Sequence, residues 1–267
     1  MQRSGSTLQF QIAASLVERA GLGRRVEWVE PGRFPELRDR YADVPGLKVF
    51  KHHICTDAMA AEFARGNAVG IYSYRDPRDV FVSNMKKYST SFEELWCSGF
   101  LETSLWNYRR WTGQPRVLVS RYETMIGDLA GEVARIAAHL RIALAAEDCR
   151  RIADDHSMPK QLERIAGFGG DKPLRDGYAG ARYDPESMLH TDHIQGGVVG
   201  GWRGVLRPGE RALIENMAAD WLSAHGYELS LGPWQRRALA LREKVARRAR
   251  RLLRRRRAPA QQRAGNG

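Results

Sequence analysis

The chain has 267 residues, 43% of them hydrophobic, which is enough to bury a full core and excludes a disordered or fibrous protein. The formal net charge is +12, but twelve Lys and Arg residues lie between Arg236 and Arg257 against one acidic residue, Glu243. That segment carries +11 and leaves about +1 for the rest, which excludes a body that is basic throughout.

No apolar run approaches the ~20 residues of a membrane-spanning helix, and positions 2 to 7 are too polar for a signal peptide. Three cysteines far apart (Cys55, Cys97 and Cys149) predict a reducing compartment and no structural metal.

The chain opens on Gln2-Arg-Ser-Gly-Ser-Thr7, followed by an amphipathic stretch with Ile12, Leu16 and Ala20 four apart. A tight turn feeding a helix N-terminus points unpaired N–H groups at an anion. Ser4, Gly5, Ser6 and Thr7 supply small residues and hydroxyls, and Arg3 supplies a charged fork. Taken alone, the same cluster also fits an ordinary N-cap. The helix is expected from Ser6 to Ala20, stopped by Gly21 or Gly23.

Arg24 to Val44 is charged and turn-rich and reads as a surface excursion. Leu47 to Lys51 predicts a short strand, with His52 and His53 just past its end. Asp57 to Ala64 predicts a helix stopped at Gly66-Asn67. Val69 to Tyr74 is nearly apolar, as a strand covered on both faces would be. Pro77 suits a first helical turn, so Val80 to Tyr88 is expected to be helix. Phe92 to Trp111 predicts a longer helix, Pro115 to Val119 a third strand, and Asp128 to Leu140 a helix with Leu129, Val133, Ile136 and Leu140 on one face.

Arg150 to Thr191 lacks periodicity and predicts loops with one or two short helices. Gly196 to Arg203 is a glycine-rich stretch anchored by Trp202, and Pro208 to His225 is a helix ended by Gly226.

Alternating strands and helices imply an α/β fold: three layers, a central parallel sheet with helices on both faces, and ligands at the strands' C-terminal ends. The phosphate loop is P-loop-like, yet no strand precedes it, so the first strand is expected to be missing or truncated.

Lys51 and His53 fall at the same mouth of such a sheet as the first loop, and a histidine there suits a general base. A capping histidine fits the same place. Arg75 and Ser83 make a second anion-binding pair, although Arg75 can equally pair with Asp76 or Asp79. Tyr122, after the third strand, either stacks on a base or closes the core. Two phosphate sites imply a ligand with phosphates at two ends. A nucleoside triphosphate fits badly, because no G-x-x-x-x-G-K-S/T pattern is present.

Read together, these motifs resemble the sulfotransferases that use 3′-phosphoadenylyl sulfate (PAPS), over most of positions 1 to 229. Gln2 to Thr7 is similar to the family's 5′-phosphosulfate loop, with Gln2 in place of a proline. Tyr74-Arg-Asp-Pro-Arg-Asp-Val-Phe-Val-Ser83 is similar to its 3′-phosphate motif. Lys51-His-His53 stands where the family has a lysine two residues before its histidine, Arg121 to Met125 resembles the segment whose tyrosine lies on the adenine, and Gly197 to Arg203 resembles its late glycine-tryptophan motif.

The resemblance implies transfer of a sulfonate group from PAPS to an acceptor hydroxyl of a small molecule, lipid or carbohydrate, without a metal. It assigns His53 as base, with Lys51 and Arg3 stabilising the leaving phosphate. PAPS would be held by Arg3, Ser4, Gly5, Ser6, Thr7, Arg75, Ser83, Tyr122, Trp202 and Arg203. Besides Gln2, five positions depart from the pattern: Arg3 for lysine, Leu8 for an adenine-stacking tryptophan, Gly201 for an aspartate, and Gln195-Gly196 for a basic pair. The acceptor would be read by the segments Arg24 to Val44 and Arg150 to Thr191.

Two domains are expected: residues 1–232 as the sulfotransferase domain, and 233–267 as a basic amphipathic helix with a disordered end. Leu241, Val245, Ala249 and Leu252-Leu253 recur amid the arginines of 236–257. Such a helix suits peripheral contact with an anionic membrane, and a simple solvated helix fits as well. The expected location is cytoplasmic, with a peripheral place on the inner membrane face. Two rival functions remain: a PAPS-fold protein that has lost catalysis, and a protein binding nucleic acid through its tail. No specific nucleic-acid recognition motif supports the second.

Overall fold

The computed structural model describes residues 1–168, 174–176, 182–191, 194 and 197–257, and of Glu27 and residues 250–257 the backbone only. Gln195, Gly196 and the expected disordered end at 258–267 lie outside the described residues. The chain divides into two compact units: Met1–Arg75 with Ser83–Val199, and Asp76–Val82 with Gly200–Gly267.

The first unit is built on helix α1 (Ser6–Arg19) and two parallel strand pairs. Strand β1 (Gly23–Trp28) pairs with β2 (Leu47–Lys51), and β3 (Gly70–Tyr74) pairs with β4 (Val117–Arg121). Among the described residues no strand leads into α1. One core packs Ile12, Ala13 and Leu16 of α1 against Val133 and Ile136 of α8 (Leu129–His139) and Ile152 of α9 (Ala146–Asp155). Val49, Ile71 and Leu118 from β2, β3 and β4 pack against the same cluster. Helices thus cover parallel strands whose C-terminal ends carry the motif residues, the α/β arrangement read from the sequence.

Local sequence explains the helix boundaries. Thr56 caps α3 (Asp57–Ala64) by accepting from Met59 N, and Asp57 adds a carboxylate to its first turn. Ser91 and Glu94 form a capping box at the start of α5 (Phe92–Cys97). The single helix expected over 92–111 is in fact two, because Gly99 takes φ 70 between α5 and α6 (Phe100–Thr112). Tyr122–Gly127 forms the short α7, and Met158–Ala166 the helix α10. Together α9 and α10 supply the short helices expected after Arg150.

The segment Arg24 to Val44 is not a surface excursion. It holds most of β1 and the helix α2 (Phe34–Arg40). Val29, Phe34 and Leu37 are buried with Cys55 and Met59 in a second cluster. The arginines hid the strand: Arg25 is neutralised by Glu18, its Nη2 donating to Oε2 at 2.8 Å.

The second unit contains the start of α4 (Pro77–Lys87), α11 (Pro208–Ala224) and α12 (Pro233–Arg257). Arg78 is its buried electrostatic centre. The guanidinium pairs with Asp76 at 2.8 Å and Glu215 at 2.6 Å, and lies 4.1 Å over the Trp202 ring. Glu215 also accepts from Ser230 N and Oγ, and α12 packs along α11.

Candidate active site

Glycine at position 5 is what lets the first loop enter α1. Gly5 is the N-cap with φ 84, and no side chain caps the helix. A Cβ there would lie 2.3 Å from the Met125 methyl and 3.1 Å from the Tyr122 ring. The first-turn N–H groups therefore stand at an open, positive helix end with no intrahelical partner. Ser4 is buried, and its hydroxyl is committed to the carbonyls of Met1 and Ser73. It fixes the loop against β3. Arg3 has φ 58, an uncommon backbone state for a residue with a side chain.

From that position Arg3 reaches the second motif. Its Nε donates to Ser83 Oγ at 3.0 Å. Arg75 donates to the Arg3 carbonyl at 3.5 Å and to the Val198 carbonyl at 2.7 Å. The Arg75 guanidinium also lies 4.4 Å over the Tyr122 ring, whose hydroxyl donates to the Gly197 carbonyl at 3.4 Å. Gly197 sits between the Tyr122 hydroxyl and the Met158 methyl. One connected group thus joins Arg3, Gly5, Arg75, Ser83 and Tyr122, although they are spread over 120 residues of sequence.

Lys51 ends β2 and donates to Thr7 Oγ1 in the first turn of α1. Removal from water, with the charge of Arg3 second, brings its pKa down to about 7. His53 lies well below the usual histidine value; burial is the main cause, and the charge of Lys51 is next. The imidazole is therefore neutral at physiological pH and able to accept a proton. His52 turns away, its Nδ1 meeting the Val29 carbonyl at 2.6 Å.

Ser6 is half-buried at the head of α1. Trp202 and Arg203 belong to the second unit. Trp202 is fully buried, and its backbone N–H donates to Asp79 Oδ1 at 3.0 Å, while Arg203 lies 4.5 Å over its ring. Among the described residues, no group of His, Cys, Asp or Glu is arranged to hold a metal ion.

Sequence reasoning missed three residues around His53: Trp28, Asn107 and Trp111. The Trp28 and His53 rings are 4.9 Å apart. Asn107 and Trp111 both donate to the His53 carbonyl. Asn107 and Trp111 sit in an aromatic helix 54 or more residues away and leave no local signal. Trp28 ends a strand disguised by charge.

The first loop, the Arg75–Ser83 motif and the lysine-histidine strand end all fall within a match to the sulfotransferase domain family model over residues 1–163. The chain belongs to the sulfotransferase family. It is 22% identical over 203 residues to cytosolic sulfotransferase 17 of Arabidopsis thaliana, covering 68% of this chain and 57% of that protein. The chain thus spans somewhat more than half the length of that relative.

Among solved structures, this sulfotransferase resembles mouse sulfotransferase SULT7A1 complexed with PAP, with a TM-score of 0.60 and 18% identity, covering 90% of this chain and 84% of the mouse chain. It also resembles retinol dehydratase in a complex with retinol and PAP, with a TM-score of 0.54 and 21% identity, covering 87% and 81% of the two chains.

Proposed function

We propose that this chain transfers a sulfonate group from PAPS to an acceptor hydroxyl. The observation that carries the reading is Lys51, an ammonium enclosed beside the Arg3 cation and bonded to a hydroxyl, with its pKa lowered to about 7. Such a lysine gains most from a bound anion. Two motifs joined by the Arg3–Ser83 hydrogen bond suit a ligand with phosphates at both ends.

In this reading the first-turn N–H groups of Gly5, Ser6 and Thr7, with Arg3 and Lys51, hold the phosphosulfate end. Ser4 shapes the loop. Arg75 and Ser83 hold the 3′-phosphate, and Tyr122 lies along the adenine. Residues 1–232 form the catalytic domain in this proposal. His53 takes the proton of the acceptor hydroxyl. The new bond forms from that oxygen to sulfur, the bond from sulfur to the bridging phosphate oxygen breaks, and adenosine 3′,5′-bisphosphate leaves. Lys51 and Arg3 stabilise the negative charge that grows on the bridging oxygen.

Calorimetry with adenosine 3′,5′-bisphosphate and adenosine 5′-phosphate tests this reading. The bisphosphate should bind at least tenfold more tightly. Equal affinity would overturn the two-ended site.

The acceptor in this proposal is a hydroxylated apolar molecule or lipid. The retinol dehydratase complexes, which hold retinol or androsterone, offer the precedent.

The second element of the proposal is peripheral contact of α12 with the anionic inner face of the membrane, from a cytoplasmic location. Trp234, Leu241 and Val245 are 82%, 64% and 62% exposed. At 100° per residue they fall within about 40° of one another on the helix. Arg237, Arg242 and Arg248 flank them, an apolar stripe edged with cations. Among the described residues no helix is long and apolar enough to cross a membrane. Replacing the three apolar residues by serine should abolish sedimentation with phosphatidylserine vesicles. Equal sedimentation of both proteins would exclude the stripe as the membrane contact.

A further inference from the structure

We propose that Trp28 and Asn107 are positioning residues for His53, fixing its ring from β1 and its backbone from α6. This inference rests on the assignment of His53 as the base.

The β1–β2 ladder runs in register from Gly23↔Leu47 to Arg25↔Val49 and then shifts, so that Trp28 pairs with Lys51. A bulge of this kind re-aims the side chains that follow it. The Trp28 ring lies 4.9 Å from the ring of His53 and 5.9 Å from that of His52. Val29 N donates to the Lys51 carbonyl at 3.3 Å, and the Val29 carbonyl meets His52 Nδ1 at 2.6 Å. The end of β1 therefore grips all three residues from Lys51 to His53.

From α6, the buried amide of Asn107 uses both of its ends on the same turn. Its Nδ2 donates to the His53 carbonyl, and its Oδ1 accepts from Cys55 N at 3.0 Å. Trp111 Nε1 donates to the same His53 carbonyl at 3.1 Å. Arg110 Nε adds a bond to the Cys55 carbonyl at 2.6 Å. A histidine on a free loop samples several rotamers. Here the backbone is held at two successive points and the ring lies against an indole.

The clamp also governs the proton. The charged or titratable groups acting on His53 are Lys51, Arg3, His52 and the amino group of Met1, and each opposes an imidazolium. The groups that α6 presents to its carbonyl, Asn107 and Trp111, are neutral. The indole of Trp28 adds an apolar wall that keeps water from the ring. Without it, water reaches the imidazole and the imidazolium becomes easier to form.

The test is titration of the His53 ring by NMR in the full chain, assigned by difference with His53→Gln. In wild type and Trp28→Phe the ring should titrate well below an ordinary histidine. In Trp28→Ala its midpoint should rise by at least one pH unit, with bisphosphate affinity within threefold of wild type. An unchanged midpoint in Trp28→Ala would overturn the role of the indole. If Trp28→Ala does not fold, Trp28→Gln, which keeps bulk but brings a polar amide in place of the apolar wall, decides, with the same readout and the same contrary result.

For Asn107→Ala, the rate of transfer from PAPS to a panel of simple alcohols and phenols should fall at least tenfold, with the KM for PAPS within threefold. A rate equal to wild type would overturn the backbone clamp. Failure of wild type to bind the bisphosphate would instead refute the functional reading, while the NMR comparison still reports on the clamp.

Discussion

Arg3 and Ser83 are 80 residues apart in sequence and joined by a 3.0 Å hydrogen bond from Nε to Oγ. The bond ties the loop that opens the chain to the helix that follows β3. Each residue came from a different motif, and the contact makes the two motifs parts of one site.

Ser83→Ala removes the acceptor of Arg3 and a donor proposed for the 3′-phosphate. A hydrogen bond to a charged group is worth about 1.5–3 kcal/mol. Bisphosphate affinity should therefore fall by roughly 10- to 100-fold, while adenosine 5′-phosphate, lacking the 3′ group, should lose far less. Calorimetry on both ligands checks this, and equal losses would point to a general disturbance of the loop.

Lys51 makes binding pH-dependent. Its pKa is about 7 in the free protein, and an adjacent phosphate favours the ammonium and raises it. Binding above pH 7 therefore takes up a proton, and affinity falls as pH rises from 7 to 9, where the phosphates are already ionised. Calorimetry in buffers of different ionisation enthalpy should detect the uptake. Lys51→Arg keeps the charge and should flatten the profile. A flat profile in wild type would show that Lys51 does not face the ligand.

Gly5→Ala should weaken both the fold and the site. The left-handed φ alone costs about 1 kcal/mol or more, and the new methyl collides with Met125. Met125→Ala in the same chain should recover part of the lost Tm and little of the lost bisphosphate affinity, because the backbone strain remains. Full recovery of both would show that crowding, and not φ, makes the glycine necessary.

Arg78 is fully buried between Asp76 and Glu215. Arg78→Ala leaves two buried carboxylates without their cation and should destabilise by about 3–5 kcal/mol in urea unfolding. Arg78→Lys, which lacks the planar fork, should rescue only part of this. A loss below about 1 kcal/mol for alanine would mean that water reaches the pair.

How much of this was legible in the sequence depended on where each residue's partners lie. Periodicity placed Asp57–Ala64, Leu47–Lys51 and nearly all of α11 correctly, because their patterns are local. Arg75 and Ser83 were legible because β3 and α4 are adjacent in the chain. The strand β1 was not, since its arginines look like surface until Glu18 is seen to neutralise Arg25. The division at Gly99 was hidden because the apolar pattern continues through it. Asn107 was invisible for another reason: its bonds go to residues more than 50 positions away, and an asparagine in an aromatic helix does not declare them. The first loop reads as an anion site from its residue types, but the bonds of Ser4 to the backbone of Met1 and Ser73 depend on the fold and could not be read there.

The most direct measurement of the central claim is sulfonate transfer from PAPS labelled on sulfur, by wild type and His53→Ala in parallel, with bisphosphate binding measured on both. The account predicts transfer to a hydroxylated acceptor by wild type, a loss of at least 100-fold in His53→Ala, as removal of a general base commonly gives, and equal bisphosphate affinity. Full transfer by His53→Ala, or no bisphosphate binding by wild type, would contradict it.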